Sequence, residues 1–313
     1  MKKLITIWNK IEEFYYAHKT ILNYVFRVVV LFVSLLLLKN HTGYNTLLTN
    51  IWVIVAISVL GAFAPYKYFL LIILAYAAVQ MYSISLAVGI VVTIIFVVMY
   101  LLFFRYSPNY AMVMIMTPIL FIIKLELLVP LMLAIVAPAV SGITILFGTI
   151  FFYIIKFVDI NATTLTSTVG MDELAKGQML IEGVFSGHEF LYMTIIMIAV
   201  FLIVHYIKKI SVNYSMEIAI ASGTGMFIIL TIVAELLFGE LTTSKLLGYT
   251  LGAIGSGIIA YVLNVIKTPL DYTRTELVEF EDEEYQYYVR AVPKASFEKE
   301  IVNVKKINKR KKS

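Results

Sequence analysis

Residues 246–266 read LLGYTLGAIGSGIIAYVLNVI, which is 21 consecutive residues without a charged side chain. A helix needs about 20 apolar residues to cross the roughly 30 Å hydrocarbon core of a bilayer. Because each residue adds about 1.5 Å to a helix, this run is long enough to cross once. The sequence therefore predicts a transmembrane helix here.

Seven further apolar runs along the chain are also candidates for transmembrane helices. They are 21–38, 50–64, 68–83, 86–104, 142–158, 190–207 and 215–238. Over the whole sequence 61% of residues are apolar and 14% are charged, and the mean hydropathy is +0.90. A soluble domain is about a quarter charged, so this chain has too few polar side chains to cover a water-facing surface. The predicted fold is an all-α, polytopic transmembrane helical bundle over residues 21–266.

The stretch 110–140 is also apolar, but prolines interrupt it. The prolines are Pro118, Pro130 and Pro138. Its halves, 110–123 and 127–140, have 14 residues each, so each helix would reach only about 21 Å. The stretch is predicted to form either two short, tilted spans or one re-entrant hairpin of broken helices. The bundle accordingly has ten spans or eight.

Lys124 and Glu126 lie at the tip of this broken hairpin. In the re-entrant arrangement they would lie inside the bilayer, where ionisable groups are costly and usually functional. In the two-span arrangement they are ordinary turn residues. Paired, interrupted apolar segments indicate the substrate site of a transporter. Pro118, Lys124, Glu126, Pro130 and Pro138 are therefore the predicted transport path.

Small residues recur every four positions in the last apolar run. They are Gly248, Gly252, Ser256 and Ala260. Such a stripe allows another backbone to approach closely, which is how helices associate in lipid. We expect it to pack the last span against the preceding one, which carries Ala219 and Gly223 at the same spacing. An interface between two copies of the chain is the alternative.

The basic residues are distributed unevenly along the chain. With the N-terminus inside, 20 of the 25 lysines and arginines fall on the cytoplasmic side, and such an excess is typical of cytoplasmic loops. Both termini are predicted to be cytoplasmic, in a plasma membrane, for eight or ten spans alike. Residues 1–20 place apolar side chains at helical spacing opposite charged ones, which predicts an amphipathic helix on the inner membrane surface.

Two segments outside the spans have a distinctive charge. The predicted external loop 159–189 carries a net charge of −4, and helical spacing recurs in 171–185. In the predicted cytoplasmic tail, 267–313, residues 275–281 and 285–292 are predicted to pair as a β-hairpin. An isolated hairpin is marginally stable, which favours packing against the cytoplasmic loops or against a protein partner at the tail. The basic run from Lys305 to Lys312 favours anionic lipid headgroups, and not nucleic acid, because it lies beneath a membrane.

The tail run DYTRTELVEFEDEEYQYYVRAVPK (271–294) is distinctive, and it is accompanied by FRYSP (104–108), MTPI (116–119) and VPL (129–131). Together they resemble a group of uncharacterised multi-span membrane proteins from Gram-positive anaerobes (Firmicutes), which carry a similar tyrosine-rich, acid-rich tail. The resemblance implies a bacterial plasma membrane. It assigns no activity and no functional residues.

Common catalytic signatures are missing from the sequence. It contains no phosphate-binding loop, no HExxH pair and no GxSxG elbow. It has no cysteine, and its four histidines lack metal-ligand spacing, so we expect no enzymatic activity, cofactor or metal. The charged side chains near span ends are expected to extend to the membrane surface; they are Arg27, Lys156, Glu217 and Glu235.

Two functional hypotheses follow from these patterns. The leading one is a permease-like transporter or channel whose path runs beside the broken hairpin. The alternative is a non-transporting membrane subunit that recruits a partner through its tail and external loop. An intramembrane cavity that reaches both the hairpin and water would favour transport.

Overall fold

The computed structural model describes residues 18–105, 107–167, 172–239, 242–267, 276–281 and 286–291. Its contacts divide the chain into two units, Met1–Leu263 and Asn264–Ser313. Most of the amphipathic segment predicted at 1–20 and all of the basic run 305–312 lie outside the described residues.

The described part of the first unit is built of helices. They are α1 (Lys19–Thr42), α2 (Ile51–Ala62), α3 (Tyr66–Tyr82), α4 (Leu86–Met99), α5 (Ala111–Ile122), α6 (Leu128–Val136), α7 (Ile143–Ile160), α8 (Ala162–Thr166), α9 (Glu173–Phe185), α10 (His188–Ile207), α11 (Ser215–Phe238) and α12 (Thr243–Lys267). A π-helical turn, Tyr100–Phe104, extends α4, and 3-10 turns occupy Pro108–Tyr110 and Ala139–Gly142. Each of the eight uninterrupted apolar runs coincides with a helix.

In the part of the chain that the structure describes, five helical segments are long and apolar enough to cross a membrane. They are Lys19–Thr42, Ala139–Ile160, His188–Ile207, Ser215–Phe238 and Thr243–Val265. The central helices are α7 and α10. In each of them 56% of the most apolar 18-residue stretch is buried, compared with 28% to 33% in α1, α11 and α12. The outer faces of the bundle expose large apolar side chains such as Trp52, Ile195 and Leu237. Such continuous apolar faces are typical of helices that meet lipid.

Side chains that follow turns set where several helices begin. Asn50 and Ser85 precede α2 and α4, and their side chains accept hydrogen bonds from the backbone N–H groups of Trp52 and Val88. Asp172 caps α9 in the same way, because its carboxylate accepts from the Glu173 N–H at 2.9 Å. Each cap satisfies a donor that the first helical turn leaves unpaired.

The proline-interrupted stretch forms two short helices, α5 and α6, joined by the turn 123–127. Pro118 lies inside α5, and Pro138 follows α6 and ends it. At about 1.5 Å per residue the two helices are about 18 Å and 14 Å long. The Lys208 ammonium, at the end of α10, donates to the Ala134 carbonyl near the end of α6. A side chain thus satisfies a carbonyl that the short helix leaves free.

Side-chain contacts connect the ends of several helices at one end of the bundle. His41 at the end of α1 pairs with Asp159 at the end of α7. Asn45, after α1, donates to Ser83 Oγ, after α3, at 3.0 Å. We call this end the loop end, because the connection from α7 to α10 (residues 161–187) leaves and returns there. The turn 123–127 belongs to the loop end as well, because Lys124 and Glu126 line one cavity with His41 and Asp159.

The second unit contains a two-stranded antiparallel pair. Strand β1 (Glu276–Glu281) pairs with β2 (Gln286–Ala291), and Val278 lies opposite Val289. Gln286 Nε2 donates to Glu279 Oε1 at 2.7 Å. These strands fall within the two segments for which the sequence predicts a hairpin.

Candidate functional site

A cavity of 230 Å³ opens beside the turn 123–127 at the loop end. We call it the loop-end cavity. Its walls come from α1, α5, α7, α10 and α12 and from the turn itself. The titratable side chains that line it are His41, Lys124, Glu126, Tyr153, Lys156, Asp159, Glu189 and Tyr249. The sequence-predicted residues Lys124 and Glu126 thus meet polar side chains that no single stretch of sequence contains.

The turn that carries Lys124 has an unusual backbone. Lys124 has a positive φ of 62°, a left-handed conformation that is uncommon for residues other than glycine. This conformation ends α5, and the Leu125 N–H donates back to the Leu120 carbonyl at 2.8 Å. It also directs the Lys124 carbonyl at α12, where a methyl group added to Gly252 would overlap the carbonyl oxygen and lie 3.0 Å from the carbonyl carbon. Only glycine fits at that point of α12.

Glu126 is the buried acid of the cavity, with 3% of its surface exposed. Burial raises the pKa of this carboxyl to about 7; its own backbone N–H and the charge of Lys124 oppose the shift, and Glu189 adds to it. Among the described residues, no lysine, arginine or histidine nitrogen forms an ion pair with Glu126. The cavity therefore holds a carboxyl group that can change charge near neutral pH.

Two side-chain pairs line the cavity together with Glu126. Lys156 Nζ lies 2.6 Å from both carboxylate oxygens of Glu189 and joins α7 to α10. His41 Nδ1 lies 2.7 Å from Asp159 Oδ2 and joins α1 to α7. Their side chains are between 34% and 44% exposed, so each pair contributes at most about 1 kcal/mol to stability. The Lys156–Glu189 pair neutralises two charges of the cavity, and the His41 ring gives the Asp159 carboxylate a hydrogen-bond partner.

Aromatic rings hold the two lysines of the cavity. Lys124 Nζ lies 5.8 Å from the ring centre of Tyr249, and Lys156 Nζ lies 5.5 Å from that of Tyr153. Cations over aromatic faces at this range are attracted by the ring. Lys124 is exposed, has no carboxylate within ion-pair distance among the described residues, and keeps only this ring contact.

Tyr249 connects the cavity to a buried carboxylate, Glu235, on α11. Glu235 accepts hydrogen bonds from the hydroxyl of Tyr192 at 2.6 Å, from that of Tyr249 at 3.5 Å and from Lys245 Nζ at 3.1 Å. The expectation that Glu235 extends to the surface is wrong, because only 1% of its side chain is exposed. Three donors compensate its burial, and they join α10, α11 and α12 next to the cavity.

Helix α9 is attached to the bundle through Glu173. Its carboxylate accepts a 2.5 Å hydrogen bond from Ser85 Oγ and a 3.3 Å bond from the Ala87 N–H, and it pairs with Lys176 at 3.0 Å. These contacts, led by the Ser85 hydrogen bond, lower the pKa of Glu173 to about 2. We call this set of contacts the α9 latch. It holds α9 against the start of α4, and a second cavity of 140 Å³ lies beneath the end of α9, next to Lys156 and Glu189.

The other predicted path residues lie away from the cavity. Pro118 and Pro130 are buried in α5 and α6. Pro138 follows the end of α6, away from the loop end. These prolines shape the two short helices, and among the predicted path residues only Lys124 and Glu126 line the loop-end cavity.

The small-residue stripe packs differently from expectation. Gly252 faces the turn 123–127, and a methyl group at Gly248 would meet nothing within 4 Å. Ser256 and Ala260 are buried, and Ser256 Oγ has no hydrogen-bond partner among the described residues. Gly223 faces Leu131 and Val204, on α6 and α10, and not α12. Within the stripe, Gly252 thus meets the turn of the broken hairpin, while α11 meets α12 at Gly257 and Thr224.

No group of three histidine or acidic side chains among the described residues is placed to hold a metal ion. Comparison with known proteins adds no constraint: no protein-family profile, curated protein or solved structure matches the chain. The loop-end cavity and its charges are therefore the features that indicate a function.

Proposed function

We propose that the protein is a multi-pass permease of a bacterial plasma membrane and that small solutes reach its transport path through the loop-end cavity. Ten helices, α1 to α7 and α10 to α12, cross the membrane, with both termini in the cytoplasm and the loop end outside. The proposed activity is transport, without a catalysed reaction or a cofactor.

The topology is supported by two independent observations. The first is the asymmetry of charge, since an N-terminus inside places 20 of the 25 basic residues on the cytoplasmic side. The second is the set of contacts that gathers the turns after α1, α3 and α7 at one end. Lys124 and Glu126 share a cavity with His41 and Asp159, which favours two short spans, α5 and α6, over a re-entrant hairpin.

One observation favours a transporter over a structural subunit. A cavity lined by charged side chains lies among apolar helices and reaches the turn between the two proline-broken helices, α5 and α6. Broken helices that line a polar cavity are the arrangement that transporters use for substrates. A structural subunit has no need of a buried carboxyl group without an ion-pair partner, because such a group lowers stability.

Uptake into vesicles tests this proposal. Purified protein is reconstituted into liposomes, a mixture of small metabolites is added outside, and the solutes inside are identified by mass spectrometry. In Ile122→Cys, a thiol at the cavity wall is the only cysteine in the chain, so a bulky maleimide blocks the cavity. Protein-dependent uptake should disappear after labelling.

The matched control is Leu174→Cys, on the 69% exposed outer face of α9. Labelling this position should leave uptake unchanged. Absence of any protein-dependent uptake, or equal inhibition at both positions, would contradict the permease proposal.

The alternative function, recruitment of a cytoplasmic partner, is favoured by a different observation. The hairpin of the second unit exposes Val278, Tyr287 and Val289, which are apolar side chains that a partner could cover. In this arrangement the basic run 305–312 binds anionic headgroups, and the chain acts as a subunit of a larger assembly. A chain that ends at Lys267 should keep full uptake if the permease proposal holds, and uptake that requires the tail would favour recruitment.

A further inference from the structure

The charges that line the loop-end cavity do not all pair with one another. Lys156 pairs with Glu189, and His41 pairs with Asp159. Among the described lining residues this leaves one cation, Lys124, and one acid, Glu126, without an ion-pair partner. A site with one free charge of each sign is complementary to a solute that carries both signs.

We propose that the loop-end cavity binds a small amphoteric solute of the amino-acid type, whose ammonium group meets Glu126 and whose carboxylate meets Lys124. This assignment deepens the proposed permease function and rests on it for the role of the solute as substrate.

The ammonium side of the site is defined by burial. Glu126 has 3% of its surface exposed and lines the cavity, so its carboxylate has given up most of its hydration. A buried carboxylate is stable only with a proton or a positively charged partner. The faces of Tyr249 and Tyr153 already hold lysines. An incoming ammonium group would therefore bind at the Glu126 carboxylate and not at these rings.

The carboxylate side is defined by Lys124. Its side chain is exposed, and its ammonium touches only the Tyr249 ring among the contacts that the structure describes. An ammonium on a flexible stem can move toward an incoming anion without breaking an ion pair. The left-handed backbone and the close approach to Gly252 fix the turn from which the side chain projects.

Size and spacing agree with a small solute. A volume of 230 Å³ equals that of about eight water molecules at roughly 30 Å³ each, which suits a solute with on the order of ten non-hydrogen atoms. Lys124 and Glu126 are two residues apart, so their Cα atoms are at most about 7 Å from each other. Both charged groups of the solute would therefore be recognised by side chains of one turn.

The competing ligands carry a single charge. A proton or a monovalent cation would satisfy Glu126 and leave Lys124 unused, and a simple carboxylate would satisfy Lys124 and leave Glu126 unpaired. The amphoteric assignment differs from both because each charged group of the ligand contributes to affinity.

Thermal unfolding of the purified full-length protein in detergent measures this difference. The probes are L-alanine, propionate and ethylamine, which present both charges, the anion alone and the cation alone on skeletons of similar size. L-alanine should raise the Tm in proportion to the logarithm of its concentration once it is in excess over Kd. Propionate and ethylamine should have little effect at the same concentrations.

Two variants assign the charges. Lys124→Gln and Glu126→Gln should each weaken L-alanine binding by roughly tenfold or more, since each removes one charge-assisted interaction. The matched controls are Lys209→Gln, in which the lysine also lies over a tyrosine ring, at 5.6 Å, but away from the cavity, and Glu182→Gln on the exposed face of α9. Both should bind L-alanine like the wild type. Because Lys124 is exposed, its variant tests the site even if Glu126→Gln folds poorly.

The outcomes separate this assignment from the permease proposal. Equal stabilisation by ethylamine, no stabilisation by L-alanine, or full affinity in Lys124→Gln would overturn the amphoteric assignment. If L-alanine binds but does not enter vesicles, the assignment stands and the permease proposal fails. If vesicles take up other solutes through the cavity while L-alanine does not bind, the permease proposal stands and the amphoteric assignment fails.

Discussion

A methyl group added at Gly252 tests whether α12 packs against the turn 123–127, because it should lower the stability of the protein through a clash with that turn. In Gly252→Ala the new Cβ would overlap the Lys124 carbonyl oxygen and lie 3.0 Å from the carbonyl carbon. These atoms belong to the backbone of a fixed turn, so relief requires α12 or the turn to move. Forcing a methyl group into a packed site costs about 1 to 3 kcal/mol.

Gly248→Ala provides the matched comparison, one helical turn away on the same stripe. A Cβ at Gly248 meets nothing within 4 Å, so this variant gains helix propensity of up to about 1 kcal/mol without a clash. Because Gly252→Ala gains the same helix propensity, this term cancels, and the clash alone should separate the two alanine variants by about 1 to 3 kcal/mol. At roughly 2 °C per kcal/mol for a chain of this size, the Tm values should differ by several degrees.

Thermal unfolding in detergent, followed by intrinsic fluorescence, measures this difference. Gly252→Leu should be more destabilising still, whereas Leu251→Ala, at an exposed position, should have little effect. Equal Tm values for Gly252→Ala and Gly248→Ala would refute the contact between α12 and the turn. The placement of Lys124 beside Tyr249 would then also lose its support.

Three further predictions concern charge and topology. Burial raises the pKa of Glu126 to about 7, so its contribution to stability is fully present below about pH 4.3 and is lost as the pH rises through 7. The difference in unfolding free energy between wild type and Glu126→Gln should therefore change across this interval by roughly 4 kcal/mol, at about 1.4 kcal/mol per pKa unit. A difference that stays constant with pH would contradict the burial of this carboxyl. The pKa of Glu173 is lowered to about 2, so the stabilisation from the α9 latch is fully present above the ordinary carboxylate pKa of about 4.3 and is lost as the pH falls through 2. Ser85→Ala removes one contact of the latch and should accelerate hydrogen exchange of the α9 amides at neutral pH. Unchanged exchange in this variant would argue against the latch. A cysteine at Ser167 should react with an impermeant maleimide in intact cells and one at Ser296 should not, whereas labelling at Ser296 would refute the cytoplasmic C-terminus.

Much of the helical framework could be predicted because lipid-facing helices need long apolar runs. The predicted run 215–238 has the bounds of α11, and 86–104 covers α4 with its π-helical extension. The least predictable stretch was 110–140, since proline positions indicate where helices break but not how deep the turn lies. Its depth depends on the ends of α1 and α7, which are distant in sequence.

The cavity was only partly predictable. Lys124 and Glu126 stand out as charges between apolar segments, but their partners come from helices far along the chain. A signal for part of the wall exists in α7, where Tyr153, Lys156 and Asp159 recur every three residues and therefore share a helix face. The role of Gly252 could not be predicted, because the stripe shows that a backbone approaches without indicating which one.

The central claim is that the loop-end cavity opens to the outside and receives a solute. The most direct measurement is the rate at which Ile122→Cys reacts with an impermeant maleimide in intact cells, with and without L-alanine. We predict labelling from outside that is slowed by L-alanine, while labelling of Leu174→Cys is unaffected. Labelling of Ile122→Cys only after the cells are permeabilised would contradict an outward-facing cavity, and labelling that L-alanine does not slow would contradict its proposed occupant.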